Sequence, residues 1–352
     1  MSIGMDFGGI SMYELKDLFV EITNQCLQKC IHCSSCAENN GFSYIPFEHL
    51  VRLVNEALPI GAESFTISGG EPFLYPELKR LIDFLHEKKI TTSIYTCGVI
   101  ENCQNQFVPI SEDMFAYLKE REIAKVIFSL HGGTEATQHK ISCLKDSCRL
   151  VKESVKNAMK CNLTSELHVV PMKTNIDELD LILEFAEQQN ISCVSFLRYV
   201  PQGRGNESLE LSNDDWNYLK VQYESWIKQY HSITIRFGTP FNCLTLDGKT
   251  CTAGKNKLLI SATGECFPCE AFKYLKGLRP TIYENNLSSI WMNDSLLKQV
   301  RCLTVEQIEY CKSCDLRSSC HGGCAGQRFR YYGNLMKGPD PHCLKPVYQN
   351  VH

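Results

Sequence analysis

From residue 18 onward, short apolar runs rich in β-branched residues alternate with longer stretches in which apolar positions recur every three to four residues. The short runs at 18–23, 64–68, 91–96, 125–130, 167–171 and 194–199 predict six strands, and the periodic stretches at 46–58, 78–88, 111–121, 147–161 and 176–189 predict helices between them. Ser111 stands where an N-cap belongs, and the first helix ends before Gly61. Residues 99–110 read as irregular. A helix at about 213–229 and a short strand at 233–237 close this part, after which no further β/α unit is predicted. Strands alternating with helices imply parallel pairing through right-handed crossovers. The expected fold class is therefore α/β: a partial (β/α)6 barrel of TIM type over 14–236, preceded by an N-terminal segment at 1–13 and followed by a small cysteine-rich domain at 237–352.

Composition narrows the function. With 352 residues, 43% of them hydrophobic, the chain can bury a sizeable core. A net charge of −4 and the lack of any long Lys/Arg run offer no general attraction for nucleic acid or an anionic membrane, so neither is an expected partner. No apolar run reaches the roughly 18 residues a spanning helix needs, and residues 1–12 lack the basic start and apolar core of a signal peptide. A cytoplasmic protein is expected. Twenty cysteines without a secretory signal point to metal binding in a reducing compartment rather than to disulfides, and suit an anaerobe.

Three of those cysteines carry the strongest signal. Cys26, Cys30 and Cys33 are spaced C-x3-C-x2-C directly after the first strand, with polar Asn24, Gln25 and His32 among them. Thiolates are the preferred ligands of iron–sulfur clusters, and three of them leave one iron of a cubane open for a non-protein ligand. Cys36 extends the run, so a closed four-cysteine cluster or a zinc site is a competing reading. Further motifs, Gly69-Gly70-Glu71-Pro72, Thr96–Gly98 and Ser129–Gly133, also follow predicted strand C-termini, the face where a β/α barrel gathers its active site.

The triplet resembles that of the radical S-adenosylmethionine (SAM) superfamily over roughly 14–236. That resemblance implies a [4Fe–4S] radical SAM cluster on Cys26, Cys30 and Cys33 whose open iron holds the amino and carboxylate groups of SAM. It assigns Gly69, Gly70, Glu71 and Pro72 to the SAM amino group, and Ser129, His131 and Asn175 to the ribose and carboxylate. His32 is counted with the cofactor-binding residues. Arg198 and the Gln-Gly-Arg204-Gly run resemble a basic element that forks to a SAM or substrate carboxylate. Taken singly, each is also compatible with a turn, a cap or a solvated loop.

The last third holds Cys251, Cys269, then Cys311-x2-Cys314-x5-Cys320-x3-Cys324, then Cys343. This resembles the SPASM domain of radical SAM enzymes that mature peptides and proteins, over about 240–352. By resemblance two auxiliary [4Fe–4S] clusters are expected: one on Cys243, Cys251, Cys269 and Cys324, the other on Cys311, Cys314, Cys320 and Cys343. Cys243 lies outside the seven-cysteine spacing, with Cys266 as its rival, and a pair of structural zinc sites is the alternative. Metal binding would supply much of the folding energy of this third. Most of the other nine cysteines are expected to be small buried hydrophobes. Glu270 stands where sulfatase-maturing relatives place an aspartate proposed as a base, which makes it the candidate catalytic residue.

The resemblance implies that the reduced cluster cleaves SAM to a 5′-deoxyadenosyl radical, which takes hydrogen from unactivated carbon. The expected substrate is a ribosomally made peptide or protein, joined through a thioether or carbon–carbon crosslink. A sulfatase-maturase-like or small-molecule dehydrogenase is the second reading. A non-catalytic cluster protein serving electron transfer or assembly is the third. Expected partners are an electron donor such as flavodoxin or ferredoxin and, because only about 17 residues precede the first strand, a separate leader-peptide-binding protein.

Overall fold

The computed structural model describes residues 13–345; the N-terminal residues 1–12 and the signal-peptide expectation attached to them lie outside the described residues. Eleven strands are described: β1 Asp17–Thr23, β2 Ser64–Gly69, β3 Thr91–Thr96, β4 Val99–Glu101, β5 Phe107–Pro109, β6 Lys125–Ser129, β7 Ser165–Val169, β8 Cys193–Phe196, β9 Thr234–Phe237, β10 Lys257–Ile260 and β11 Cys266–Phe267. Nine of them form one sheet in the order β11-β10-β1-β2-β3-β6-β7-β8-β9. Every neighbouring pair is parallel except β10 with β11, so the architecture is the expected α/β partial barrel.

All six predicted strands and the short seventh at 233–237 are present within a few residues of their expected bounds. The helices follow the predicted periodicity because each carries one apolar stripe onto the sheet. Helix Phe47–Ala57 buries Phe47, Leu50, Leu53, Val54 and Ala57, and helix Leu78–Glu87 buries Leu78, Leu81, Ile82 and Leu85. Ser111 does cap its helix, its side chain accepting from the Met114 amide. Strand β1 is buried along nearly its whole length, as expected for a strand covered on both faces.

Three elements depart from expectation. Residues 99–110 are not irregular: β4 and β5 pair as an antiparallel hairpin, Val99 opposite Pro109. A helix at Glu135–Ser142 was not foreseen, since its sequence has no pronounced apolar stripe. Most consequential is β10, which pairs in parallel with β1 from Asp17↔Lys257 to Val20↔Ile260. The barrel sheet thus continues past residue 236 into the cysteine-rich third. Only four residues long, β10 has no local pattern that announces it, and its partner lies about 240 positions away in sequence. Among the described residues no helix is long and apolar enough to cross a membrane.

Candidate active site and metal centres

The loop carrying Cys26, Cys30 and Cys33 leaves β1 and is gripped from three sides. The first is the turn after β2. There the Gly70 amide donates to the Thr23 carbonyl (2.6 Å) and the Glu71 amide to the Gln25 carbonyl (2.7 Å). A Cβ on Gly69, at φ +142°, would run into the Thr23 carbonyl oxygen, and one on Gly70 into that of Gln25. The paired glycines therefore serve the approach of the cysteine loop itself. Glu71 is fully buried and lies behind the cavity wall. Its carboxylate accepts from Thr96 Oγ1 (2.9 Å to each oxygen), the Cys97 amide (2.7 Å) and the Phe73 amide (3.1 Å). It ties the end of β2 to the end of β3.

The second grip comes from the segment after β8. Arg204 Nε donates to the Cys30 carbonyl (2.9 Å), Nη2 to that of Ala37 (2.7 Å) and its amide to that of Cys33 (3.1 Å). Its expected fork meets backbone carbonyls, not a ligand carboxylate. The third is the unforeseen helix Glu135–Ser142, whose last carbonyls, Ile141 and Ser142, accept from the Ile31 and Lys29 amides (both 2.9 Å). So held, all three cysteines face one cavity. Burial, then the neighbouring Cys26 and Cys33 thiols, push the Cys30 thiol well up, as expected where three sulfurs converge. Cys36 is exposed and not among the cavity-lining residues, so the four-cysteine alternative finds no support in its position.

That cavity encloses about 740 Å³ at the C-terminal ends of the strands, within the range of small-molecule sites. Gly69, Gly70, Pro72, Ser129 and His131 line it as expected. His32 lines it too, its ring edge-on to His131 at 4.4 Å between centroids. Burial and then Arg204 lower the His32 pKa to about 4, so this imidazole is neutral, and its Nδ1 is buried without a protein partner.

Two expected SAM contacts make strong bonds to other protein groups. Asn175 does not line the cavity. Its Oδ1 accepts from the Met172 amide (2.7 Å) and its Nδ2 donates to the carbonyls of His131 (2.7 Å) and Val170 (2.9 Å), which makes it a clamp on the turn after β7. Arg198 lines the cavity; its Nη atoms bond Asp340 (2.6 and 2.7 Å), His342 Nδ1 (2.8 Å) and the Pro240 carbonyl (2.9 Å), while its Nε is buried without a protein partner. Burial opposes the charge on Asp340, yet Arg198 holds its carboxyl down to about 2. Conversely, sequence reasoning missed a polar ladder inside the barrel. Tyr95 Oη meets His168 Nδ1 (3.0 Å), His168 Nε2 lies 3.5 Å from Glu166, and Glu166 pairs with Lys125 (2.9 Å) and Arg236 (3.0 Å). The available signal was Glu166 and His168 at i and i+2 on one face of an otherwise buried strand.

The auxiliary cysteines divide unequally. Cys251, Cys269 and Cys324 line the same large cavity as the N-terminal triplet. Cys311, Cys314, Cys320 and Cys343 surround a second cavity of about 140 Å³, and Cys243 is there with them. Cys243 thus lines the second cavity and not the first, while it and Cys324 both lie close to Arg198. The one-turn helix Asn242–Thr245 that carries Cys243 is followed by Gly248, whose amide donates to the Ser319 carbonyl (3.1 Å) and whose carbonyl meets His321 Nε2 (2.9 Å). Those bonds tether it to the neighbourhood of Cys320. Cys266, the rival of Cys243, is fully buried, with Arg279, Asp294 and Glu265 as its charged neighbours, and it lines neither cavity.

Glu270, beside Cys269, lines the large cavity and accepts from Ser34 Oγ (3.1 Å), next to Cys33. Lys273 Nζ lies 3.5 Å from it and is bound to Glu21 and Ser35 Oγ (both 2.5 Å). Its side chain is 44% exposed, and desolvation by the surrounding protein raises its carboxyl pKa against the opposing pull of Lys273. The Glu21–Lys273–Glu270 array bridges the two cysteine-bearing loops.

Comparison with known proteins agrees with this geometry. Residues 20–186 match the radical SAM superfamily, and residues 251–315 match the SPASM iron–sulfur cluster-binding domain. The chain is a radical SAM enzyme. More narrowly, it is one with a SPASM domain, whose cofactors are SAM, a [4Fe–4S] cluster and auxiliary iron–sulfur clusters. It is 26% identical to a PqqA peptide cyclase of Granulibacter bethesdensis, over 94% of this chain and 88% of that protein. To an AdoMet-dependent heme synthase of Methanosarcina barkeri it is 19% identical, over 92% and 95%. Among solved structures, Streptococcus suis SuiB bound to precursor peptide SuiA superposes with a TM-score of 0.75 at 19% identity, covering 94% of this chain and 76% of that one. This last likeness is one of fold.

Proposed function

We propose that this protein modifies a ribosomally made peptide, forming a thioether or carbon–carbon crosslink by radical chemistry. The observation that carries the reading is the cavity of about 740 Å³ that both Cys26, Cys30 and Cys33 and Cys251, Cys269 and Cys324 line. A substrate placed between them lies within reach of both. The donor sets fit iron–sulfur clusters: thiolates are the right ligands, and they stand around cavities rather than around one ion-sized point. When bound, the N-terminal cluster and SAM supply a 5′-deoxyadenosyl radical that takes a hydrogen atom from carbon.

The chain's own residues do the rest. Cys26, Cys30 and Cys33 hold the cluster, on a loop fixed by Gly69, Gly70 and Arg204. Neutral His32, with Ser129, His131 and the backbone of Gly69 and Gly70, forms the SAM side of the cavity. Glu270 faces the same space and is the group placed to accept a proton from substrate, while Lys273 and Ser34 hold its carboxylate in position. The PqqA peptide cyclase and the SuiB complex with its precursor peptide support a peptide substrate. An electron donor such as flavodoxin or ferredoxin, and a separate leader-peptide-binding protein, complete the proposed system.

The test is anaerobic reconstitution of the protein and of the Cys26→Ala, Cys30→Ala, Cys33→Ala triple variant. The native protein is expected to take up about twelve irons and release 5′-deoxyadenosine from SAM, and the variant to keep about eight irons and release none. Retained SAM cleavage in the variant overturns the assignment. Among peptide products, a crosslink resolved by fragmentation supports the reading. A hydrazine-reactive aldehyde would instead make the enzyme a dehydrogenase with Glu270 as its base.

A further inference from the structure

Between Cys26 and Cys30 the N-terminal loop carries a buried amide. Gln28 is 3% exposed and lines the large cavity. Its Oε1 accepts from Cys30 Sγ (3.3 Å), whereas its Nε2 is buried without a hydrogen-bond partner among the described residues. A buried amide donor left unpaired costs free energy, and one that stands beside a metal-binding thiol points to a partner that arrives with the metal.

The bond that Gln28 does make cannot survive metal binding. A cysteine on iron is a thiolate, with no proton to donate and a negative sulfur that repels a carbonyl oxygen. Half a turn about the last side-chain torsion exchanges Oε1 with Nε2 in nearly the same space and presents an N–H to that sulfur. Nearby backbone donors are already committed. The Lys29 and Ile31 amides, on either side of Cys30, donate to the carbonyls of Ser142 and Ile141 (both 2.9 Å), and the Cys33 amide donates to that of Cys30 (3.2 Å). Arg204 Nε and Nη2 are committed in the same way, to the Cys30 and Ala37 carbonyls (2.9 and 2.7 Å).

We infer that Gln28, once iron is bound, donates an N–H···S hydrogen bond from Nε2 to the Cys30 sulfur and thereby raises the reduction potential of the N-terminal cluster. A donor aimed at a ligand sulfur favours the reduced cluster, which carries one more negative charge than the oxidised one. Gln28 thus eases the one-electron reduction that precedes SAM cleavage. This inference rests on the assignment of Cys26, Cys30 and Cys33 to that cluster.

The experiment uses the full chain, made by cell-free synthesis with glutamine carrying ¹⁵N at the side-chain nitrogen alone, then reconstituted anaerobically with iron and sulfide and reduced without SAM. The hyperfine sublevel correlation spectrum of the native protein is expected to show one weakly coupled ¹⁵N. That signal is expected to be absent from the Cys26→Ala, Cys30→Ala, Cys33→Ala variant, which keeps only auxiliary clusters, and from Gln28→Leu. In a redox titration followed by electron paramagnetic resonance, Gln28→Leu is expected to lower the ratio of reduced to oxidised N-terminal cluster about threefold at any set potential. At about 59 mV per tenfold for one electron, this is a midpoint lower by about 28 mV. A ¹⁵N coupling that persists in Gln28→Leu, or that appears only after SAM is added, overturns the inference, and so does an unchanged midpoint. If Gln28→Leu takes up no iron, the native spectrum decides, because Gln28 is the glutamine bonded to a thiol of the triplet: a loaded native protein without coupled ¹⁵N overturns the inference. Native protein that binds no more iron than the triple variant overturns the cluster assignment itself, and its iron count tells that failure apart. No peptide is present, so the outcome does not depend on the crosslinking reading.

Discussion

In the barrel, the cysteine loop rests on a structure that exists without it. Backbone hydrogen bonds from Gly70, Glu71 and Arg204 and the end of the Glu135–Ser142 helix hold it, and a continuous apolar core lies beneath. The cysteine-rich end of the chain is built the other way round. From residue 301 to 345 the buried hydrophobic side chains among the described residues are Ile308 and Leu335, while the buried polar ones include Arg301, Gln327, Arg328 and Asp340. Six cysteines fall in that same stretch. One region places its thiols by packing; the other depends on its thiols for packing. A cluster can thus be lost from the barrel without loss of the barrel, but not from the C-terminal segment without loss of the segment.

The largest effect tests that contrast directly. In protein prepared without iron, residues 303–345 should be cut by trypsin at least about tenfold faster than in the loaded protein, while β1 to β9 stay protected; limited proteolysis with mass spectrometry reads this. Because β10 pairs with β1, protection should extend over Lys257–Ile260 instead of stopping at residue 236. Equal protection of both regions would remove the contrast. Next in size is the joint between them. Arg198→Met leaves Asp340 buried and unpaired, which should cost about 3–5 kcal/mol and release auxiliary iron. The double variant with Asp340→Leu should recover much of that loss in thermal unfolding. Release of 5′-deoxyadenosine, which belongs to the barrel, should persist.

The barrel's own charge ladder comes third. Burial pushes the Glu166 carboxyl up, but His168, Lys125 and Arg236 hold it down to about 2, against an ordinary 4.5. A group whose folded pKa is depressed adds stability that is complete above its unfolded pKa and disappears as pH falls through the folded one. Iron-free protein should therefore lose on the order of 3 kcal/mol between about pH 4.5 and 2 from this group, and Glu166→Gln should flatten that slope in urea unfolding. An unchanged slope would show that the ladder is not ionised as described. Gly70→Ala, which drives a Cβ into the Gln25 carbonyl, should slow SAM cleavage about tenfold, or about 1.4 kcal/mol, with auxiliary iron unchanged. The smallest is Ser111→Ala, which removes a helix cap on the barrel's outer face. It should cost about 1 kcal/mol in thermal unfolding and leave every cluster intact.

Much of this was legible from residue order. Short apolar runs and a period of 3.6 are local properties, so the six strands, their helices and the Ser111 cap could be read before any contact was known. The cysteine triplet and the glycine pair were equally local. What failed locally did so for identifiable reasons. The helix at 135–142 lacks an apolar stripe because its contribution is a set of terminal carbonyls offered to Lys29 and Ile31. Arg198, Arg204 and Asn175 carry the polar groups expected of ligand contacts, but a guanidinium or amide bonds whatever acceptor packing brings to it. Here those acceptors are Asp340, the Cys30 and Ala37 carbonyls, and the backbone around His131.

By itself, then, the sequence determined the α/β barrel, the cysteine loop at the end of its first strand and the metal-rich character of the last third, because periodicity, thiol spacing and composition are written in neighbouring residues. Only the tertiary structure decided which thiols share a cavity, that Cys243 lines the cavity of Cys320 and not that of Cys251, and that β10 completes the barrel sheet beside β1. Those outcomes turn on contacts between segments up to about 240 residues apart, which the packing of the whole chain selects and no local pattern encodes.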